Sequence, residues 1–163
     1  MEKVILAEFA IANCAVCHGC RGDAECVIND DFHTIKDKLI VSDIVALSAP
    51  LFFMNVPAQV KALIDRSQSQ WVRKHILKHS LPTSSAGLTK RRGIFLCVGG
   101  SSKAKFEGVR QTVRAFFSVW EVSYWAELLY SGVDEKGEIS QHPKALQDAF
   151  RLGQETVRAP RDT

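Results

Sequence analysis

The chain has 163 residues, of which 46% are hydrophobic and 24% charged, and its formal net charge is +3. These are ordinary globular values and the length suits one domain, so we expect a single domain over residues 1–163. The net charge is too small to indicate a nucleic-acid-binding protein, and no apolar stretch reaches the length of a membrane span. The first residues, MEKVILAEF, do not have the pattern of a signal peptide, which favours a cytoplasmic protein.

Strand and helix patterns alternate in the first half of the chain. A short apolar run predicts a strand at 4–9, and a cysteine-rich segment at 13–29 follows it. A helix is predicted from Asp30 and Asp31 to about residue 42, because aspartates favour helix starts. The apolar run at 43–49 predicts a buried parallel strand, and Pro57 opens the next helix. The apolar stripes of the two helices are Phe32, Ile35 and Leu39 in the first, and Val60, Leu63, Ile64, Trp71 and Ile76 in the second.

The alternation continues in the second half. Residues 80–90 are rich in turn-forming residues and predict a connector. Strands are predicted at 93–98 and 122–130, and helices at 106–119 and 143–154. The first of these helices has an apolar stripe formed by Val109, Val113, Phe116 and Phe117. Strands that alternate with helices of this length predict an α/β protein with a parallel sheet and helices on both faces.

Four cysteines lie within thirteen residues, in the segment CAVCHGCRGDAEC. Cys14, Cys17, Cys20 and Cys26 have the spacing C-x2-C-x2-C-x5-C, and compact four-cysteine runs of this kind hold iron–sulfur clusters. Structural zinc usually takes two separated C-x2-C pairs, cytosolic disulfides are rare, and four unligated thiols would be an oxidation liability. A cluster is therefore the favoured interpretation, with zinc, disulfides and free thiols as alternatives. Cys97 lies in an apolar run and is predicted to be a buried core thiol.

Two loops follow predicted strands, and open parallel sheets bind ligands in such loops at the carboxyl ends of their strands. The loop at 48–59 holds two prolines, two adjacent aromatic residues and an asparagine, and so offers a stacking surface. The loop at 98–102 has the sequence VGGSS, whose glycines allow a planar ligand to approach the backbone closely. The alternatives are a rigid turn with its aromatic rings in the core and a plain glycine turn.

The order and spacing of CAVCHGC, VINDDFHTI, SDIVALSAPLFFMNVPAQVKALIDR and GIFLCVGGSS resemble the NAD(P)H-dependent FMN reductase-like proteins, most closely their iron–sulfur flavoprotein branch. The resemblance covers nearly the whole chain. It implies a flavodoxin-like three-layer sandwich and an FMN-dependent oxidoreductase whose four loop cysteines ligate a [4Fe-4S] cluster. The flavin contacts that it implies are Pro50, Leu51, Phe52, Phe53, Asn55, Val56, Gly99, Gly100 and Ser101.

The resemblance also implies partners. Such proteins look like homo-oligomers, dimers or tetramers, in which the cluster of one subunit lies near the flavin of another. NAD(P)H or a ferredoxin is the implied redox partner, with no nucleic acid and no membrane. His18 and Arg21 are candidates for tuning the cluster, although an exposed loop histidine is the more common case. Asp65 and Arg66 are expected to pair at a helix end, and no residue stands out as a general acid or base.

The sequence departs from the family in one respect. Members normally begin with a strand, a phosphate loop of the type G-S-P-R-x-x-G-N-T and a helix, and this sequence starts at what corresponds to the second strand. We expect the gap to expose apolar surface or to be filled by another segment. A late-assigned start, a fragment, or a sheet completed by a partner chain would each explain it. The alternative functions are a cluster-only electron-transfer subunit without FMN and, more weakly, a zinc-stabilised interaction module.

Overall fold

A parallel sheet in the order β1-β2-β3 organises the protein, whose structure is a computed structural model that describes residues 1–82 and 90–158. Its strands are β1 (Ile44–Pro50), β2 (Arg91–Gly99) and β3 (Val122–Ser131). β2 is the central strand and pairs in parallel with both neighbours. The strands predicted at 43–49, 93–98 and 122–130 are thereby confirmed, together with the predicted α/β class.

Helices follow or precede each strand, as predicted. They are α1 (Phe32–Val41), α2 (Ala58–Arg66), α3 (Gln68–His75), α4 (Glu107–Val119) and α5 (Ala145–Arg158). Short 3-10 turns lie at Leu6–Glu8, Gly19–Arg21 and Glu138–Gln141. Most of the connector predicted at 80–90 lies outside the described residues.

The helices cover both faces of the sheet, because adjacent residues of β2 contact different helices. Arg92 donates to the Thr156 carbonyl of α5 at 2.9 Å. A Cβ at Gly93, on the opposite face, would lie 2.6 Å from the Phe117 ring of α4. Arg91 projects to the same face as Gly93 and donates to carbonyls at the end of α1. The protein therefore has three layers, with α1 and α4 on one side of the sheet and α5 on the other.

The main core lies between the sheet and the layer formed by α1, α2 and α4. Its most buried side chains include Phe32, Phe95, Val109, Val113, Phe117 and Trp120. Each such side chain contributes about 2 kcal/mol by leaving water. The stripe predicted on α4 is buried at all four positions, which confirms the helical period read from the sequence.

The strand predicted at 4–9 is wrong. These residues form an irregular segment with a 3-10 turn at Leu6–Glu8. A strand needs a neighbour for its backbone hydrogen bonds, and the side of β1 that faces away from β2 pairs with no strand among the described residues.

β1 is not covered on the α5 face of the sheet. Ala46, Ser48 and Pro50 of β1 are exposed on the α5 face of the sheet. On α5 itself, the apolar side chains Leu146, Phe150 and Val157 are 59%, 69% and 78% exposed.

The helix predicted from Pro57 through Ile76 is interrupted at Ser67. Its first stripe is confirmed, since Val60 and Leu63 are buried. Trp71 and Ile76, however, are 40% and 55% exposed. The buried residues of α3 are Ser69, Gln70 and Val72, so the stripe predicted through Trp71 and Ile76 is turned toward solvent. None of the helices within the described ranges is long and apolar enough to cross a membrane.

Candidate functional site

The four clustered cysteines lie in the irregular segment before α1. All four are free thiols, with Cys17 exposed and Cys14, Cys20 and Cys26 partly buried. Cys26 packs against the main core, which anchors the end of the segment. The backbone is left-handed at three non-glycine residues of this segment, Val16, His18 and Ala24. Such conformations are costly and are concentrated at functional sites.

Electrostatics show that the thiols lie near one another. Burial raises the pKa of Cys20, and the charges of Cys26, Cys14 and Cys17 raise it further. Four neighbouring thiolates would repel one another unless a cationic centre lay between them, because a bound metal favours the thiolate form. The segment therefore has the donor chemistry of a metal-cluster site.

The four side chains are not gathered around a single point. Across residues 1–82 and 90–158, no group of three or more His, Cys, Asp or Glu side chains converges closely enough to hold one metal ion. The thiolates of a [4Fe-4S] cubane each bind a different iron, so its ligands stand further apart than the ligands of one zinc ion. What the segment supplies toward such a cluster is its four cysteine donors.

Arg66, the last residue of α2, lies beneath this segment with a side chain that is 0% exposed. Its Nε donates to Cys26 Sγ at 3.2 Å. Nη1 donates to the Ala12 carbonyl at 3.0 Å and to Asp30 Oδ2 at 2.7 Å. Nη2 donates to the Ile28 carbonyl and to Asp30 Oδ1, both at 3.1 Å. One guanidinium therefore joins both ends of the cysteine segment.

Asp30 completes this arrangement. Its carboxylate accepts from Arg66 and also from the backbone amides of Ala12 and Phe32, at 2.8 and 3.1 Å. Burial by itself would raise the pKa of Asp30, but these hydrogen bonds outweigh burial and hold the pKa below its ordinary value. The Arg66 guanidinium also stacks over the Phe32 ring, 4.7 Å from its centroid. The start of α1 and the end of α2 are thereby fixed to each other.

The prediction for Arg66 was wrong. Asp65 pairs with Lys61 at 2.6 Å, and Arg66 turns inward instead. The signal was present in the sequence, since Arg66 follows Leu63 by three positions and Ala62 by four on the buried stripe of α2. His18 and Arg21, the side chains predicted to tune a cluster, are both exposed.

The aromatic loop after β1 forms a tight turn. The Leu51 amide donates to the Val98 carbonyl at 2.7 Å, and the backbones of Phe52 and Asn55 exchange two hydrogen bonds of 2.8 Å. Phe53 and Met54 at the tip have left-handed φ angles of 47° and 63°. Phe52, Phe53 and Met54 are 55%, 104% and 53% exposed, so the alternative with both aromatic rings in the core is excluded. Exposed apolar side chains on a strained turn are typical of a binding surface.

The glycine loop lies beside the aromatic loop. A Cβ at Gly99 would lie 3.3 Å from the Leu51 side chain, and a Cβ at Gly100 would lie 2.2 Å from Asp134 Oδ1. The Ser101 carbonyl accepts from the Gly132 amide at 3.1 Å. Neighbouring side chains therefore leave no room for a Cβ at Gly99 or Gly100, so these glycines are needed for packing even without a planar ligand. The structure brings the two predicted flavin loops together at the carboxyl ends of β1 and β2.

The cysteine segment and the aromatic loop are tied to opposite ends of α2. Pro57 precedes the first residue of α2 and adjoins the aromatic loop, whereas Arg66 ends the helix and holds Cys26. A nine-residue helix is about 13.5 Å long. Cys97 belongs to neither site: it is buried in β2, and burial raises its pKa to about 12.

A sequence model described as NADPH-dependent FMN reductase matches residues 2–126. The chain belongs to this family. Its fold is flavodoxin-like, and within the family it falls in the iron–sulfur flavoprotein branch. An iron–sulfur flavoprotein of Methanosarcina thermophila is 30% identical over 118 residues, which are 72% of this chain and 56% of the relative. One from Archaeoglobus fulgidus is 39% identical over 66 residues, 40% of this chain and 30% of the relative.

Solved structures agree on the fold of this family member. The Trp repressor binding protein of Bacillus subtilis has a TM-score of 0.56 at 23% identity, covering 75% of each chain. A flavone reductase has a TM-score of 0.55 at 16% identity, covering 96% of this chain and 52% of its own. The chain thus spans about half the length, or less, of the curated relatives that it matches.

Proposed function

We propose that this protein is an iron–sulfur flavoprotein, an FMN-dependent oxidoreductase that passes electrons between a flavin and a [4Fe-4S] cluster. The observation that carries the proposal is the set of four free, neighbouring thiols on a segment closed by Arg66, in a chain of the FMN reductase family. When bound, FMN exchanges electrons in pairs or singly and the cluster exchanges them one at a time. Cys14, Cys17, Cys20 and Cys26 are the proposed ligands of iron.

The proposed flavin site is the joint surface of the aromatic and glycine loops. Phe52 and Phe53 offer exposed rings on which an isoalloxazine ring can stack, and stacking of a planar ligand on an aromatic side chain contributes about 1–3 kcal/mol. Both positions are phenylalanine where the family usually has a tyrosine at one of them, so the stacking face is kept and a hydroxyl is lost. The remaining proposed contacts are Pro50, Leu51, Asn55, Val56, Gly99, Gly100 and Ser101.

A cluster-only electron-transfer subunit is the second candidate. It is favoured by the cysteine segment, because all four proposed iron ligands lie outside the aromatic and glycine loops and do not need a bound flavin. Bound flavin distinguishes the two candidates.

We also propose a homo-oligomer, a dimer or a tetramer. The edge of β1 that pairs with no strand in residues 1–82 and 90–158 supports it, and so do the exposed apolar side chains of α5, because unpaired edges and apolar patches favour association. Light scattering coupled to gel filtration tests this: wild type should exceed the mass of one chain, 18.1 kDa, and Phe150→Glu should shift it toward one chain.

The redox partners and the compartment are proposals as well. NAD(P)H or a ferredoxin is the proposed electron source, with neither nucleic acid nor membrane as a partner. The four unpaired thiols of the segment need a reducing compartment, which supports the cytoplasm.

The first experiment is anaerobic purification followed by measurement of iron, acid-labile sulfide and the absorption spectrum, with and without dithionite. We expect about four irons per chain, flavin bands and a broad shoulder that bleaches on reduction. Cys20→Ala should lose the iron, whereas Cys97→Ala, which removes a thiol outside the segment, should keep it. Iron without flavin would favour the second candidate, and zinc without sulfide would overturn both.

A further inference from the structure

We propose that Arg66 positions the ligand Cys26 and raises the reduction potential of the cluster through its N–H···S hydrogen bond. This inference rests on the proposed function, since it concerns the same four-cysteine segment. Reduction of the cluster adds one electron and no proton, so Arg66 acts as a hydrogen-bond donor to sulfur and not as a proton source.

All five N–H donors of Arg66 are used. A guanidinium has five, and the five acceptors are Cys26 Sγ, the carbonyls of Ala12 and Ile28, and both oxygens of Asp30. Every acceptor lies between residues 12 and 30, at or beside the ends of the cysteine segment. Because Ala12 precedes the first ligand and Ile28 follows the last, the guanidinium closes the segment into a loop.

The hydrogen bond to Cys26 has a predictable effect on potential. Reduction makes the cluster and its thiolates more negative, and a donor to sulfur stabilises the reduced form more than the oxidised one. The Arg66 side chain is fully buried, so the donor of this bond is shielded from water in the folded protein. Loss of the N–H···S bond should therefore lower the potential.

Asp30 limits the positive charge at this position. Its two oxygens pair with Nη1 and Nη2, so that Cys26 faces an N–H group of a neutralised ion pair. Changing Asp30 to asparagine keeps the side-chain volume but replaces one accepting oxygen by an NH2 group, and it leaves the guanidinium charge uncompensated beside the thiolate. The two substitutions should thus shift the potential in opposite directions, which a purely structural role of the pair does not predict.

The experiment compares wild type, Arg66→Lys, Asp30→Asn and Arg91→Lys after anaerobic reconstitution with iron and sulfide. Arg91 is the matched control, because it is also a buried arginine, but it donates to carbonyls at the end of α1, away from the cysteines. Each variant is assayed for iron and sulfide per chain, for its melting temperature without metal, and for its potential by an EPR-monitored dithionite titration.

We expect a more negative potential for Arg66→Lys, a more positive one for Asp30→Asn and an unchanged one for Arg91→Lys. Loss of the cluster from Arg66→Lys with an unchanged melting temperature would also support the inference, as the loss of loop closure. If Arg66→Lys does not fold, the test rests on Asp30→Asn alone. An unchanged reduction potential in Asp30→Asn then overturns the inference. If Arg66→Lys carries its full iron and sulfide and has the potential of the wild type, the inference is overturned and the proposed function stands. If the wild-type chain binds no iron, the inference and the proposed function are both overturned.

Discussion

Trp120 donates its indole N–H to the Ser67 hydroxyl at 3.0 Å and thereby joins the end of α4 to the interruption between α2 and α3. Both side chains are buried, and the Ser67 hydroxyl donates in turn to the Leu63 carbonyl at 2.9 Å. The contact fixes the chain immediately after Arg66, so it supports the residue that closes the cysteine segment.

Removal of the Ser67 hydroxyl should destabilise the fold. In Ser67→Ala the Trp120 N–H is left buried without its acceptor, which costs about 1–3 kcal/mol. Urea unfolding monitored by circular dichroism measures the loss. Ser69→Ala is the control, because Ser69 is equally buried but its hydroxyl makes only a weak 3.4 Å contact with the Arg66 carbonyl. If Ser67→Ala and Ser69→Ala lowered the free energy of unfolding equally, the hydrogen bond from the Trp120 indole would contribute nothing to stability.

Two glycine substitutions should have opposite effects. Gly93→Ala places a Cβ 2.6 Å from the Phe117 ring and 2.8 Å from Val122, and overpacking of this kind costs about 1–3 kcal/mol. Gly153→Ala in α5 meets nothing within 4 Å and should stabilise the helix by up to about 1 kcal/mol. Thermal unfolding of both variants tests the close approach of α4 to β2, and a tolerated Gly93→Ala would contradict it.

Stability should fall in acid partly through Glu127. Burial raises the pKa of its carboxyl, but hydrogen bonds from Arg110 and Tyr124 outweigh burial and hold the folded pKa below its ordinary value. The unfolded chain therefore takes up this proton at a higher pH than the folded chain does. The stabilisation is present above the ordinary value of 4.5 and is lost as the pH falls through the folded pKa.

Glu127→Gln should accordingly flatten the dependence of unfolding free energy on pH below about 5. Asp30 contributes in the same direction, so a residual slope should remain. Glu107→Gln is the control, since this carboxylate is 73% exposed and lies 3.9 Å from Arg110. If both variants flattened the pH dependence equally, the slope would come from general charge and not from the partly buried pair of Glu127 and Arg110.

Phe53→Ala should weaken flavin retention without harming the fold. The ring is fully exposed in the structure, so its removal leaves the core intact, whereas a lost stacking contact of about 1 kcal/mol weakens binding about fivefold. Fluorescence titration of the flavin-free protein with FMN gives the dissociation constants. Phe150→Ala on α5, another exposed phenylalanine, should bind FMN like wild type. Unchanged binding by Phe53→Ala would remove the aromatic loop from the proposed flavin site.

The metal-free protein should react as a four-thiol protein. Cys97 is buried with a pKa raised to about 12, whereas the segment cysteines are exposed or partly buried. At pH 8 a thiol reagent should therefore label four sites rapidly and the fifth only after denaturation. Mass spectrometry of the labelled chain identifies the protected residue, and early labelling of Cys97 would contradict its burial in β2.

The sequence predicted elements well where one segment determines its own structure. The stripe of Val109, Val113, Phe116 and Phe117 defined α4, and the apolar run at 43–49 defined β1, because each pattern reports burial by itself. The strand at 4–9 failed because a strand also needs a neighbour, and none of the described segments supplies one. The break at Ser67 was missed because its indole partner is 53 residues away.

In the candidate site, too, local features were predicted from the sequence and long-range contacts were not. The cysteine spacing and the aromatic loop could be read locally, and the structure places the aromatic and glycine loops side by side. Arg66 was assigned to its sequence neighbour Asp65, because a charged pair at a helix end is the simpler local interpretation. Its true partners lie 36 to 54 residues away, a distance over which no spacing rule operates.

The closure of the cysteine segment by Arg66 sets an order of events during biogenesis. Cys26 is made 40 residues before the guanidinium that holds it, so the segment emerges from the ribosome open. It closes only when α2 has been synthesised and packed against α1, because the loop-closure entropy is offset by contacts that form at that step. Before that step the four thiols lie on an open chain, and after it they lie on a segment whose ends are joined. The geometry of the cysteine segment therefore depends on a helix that is synthesised after it.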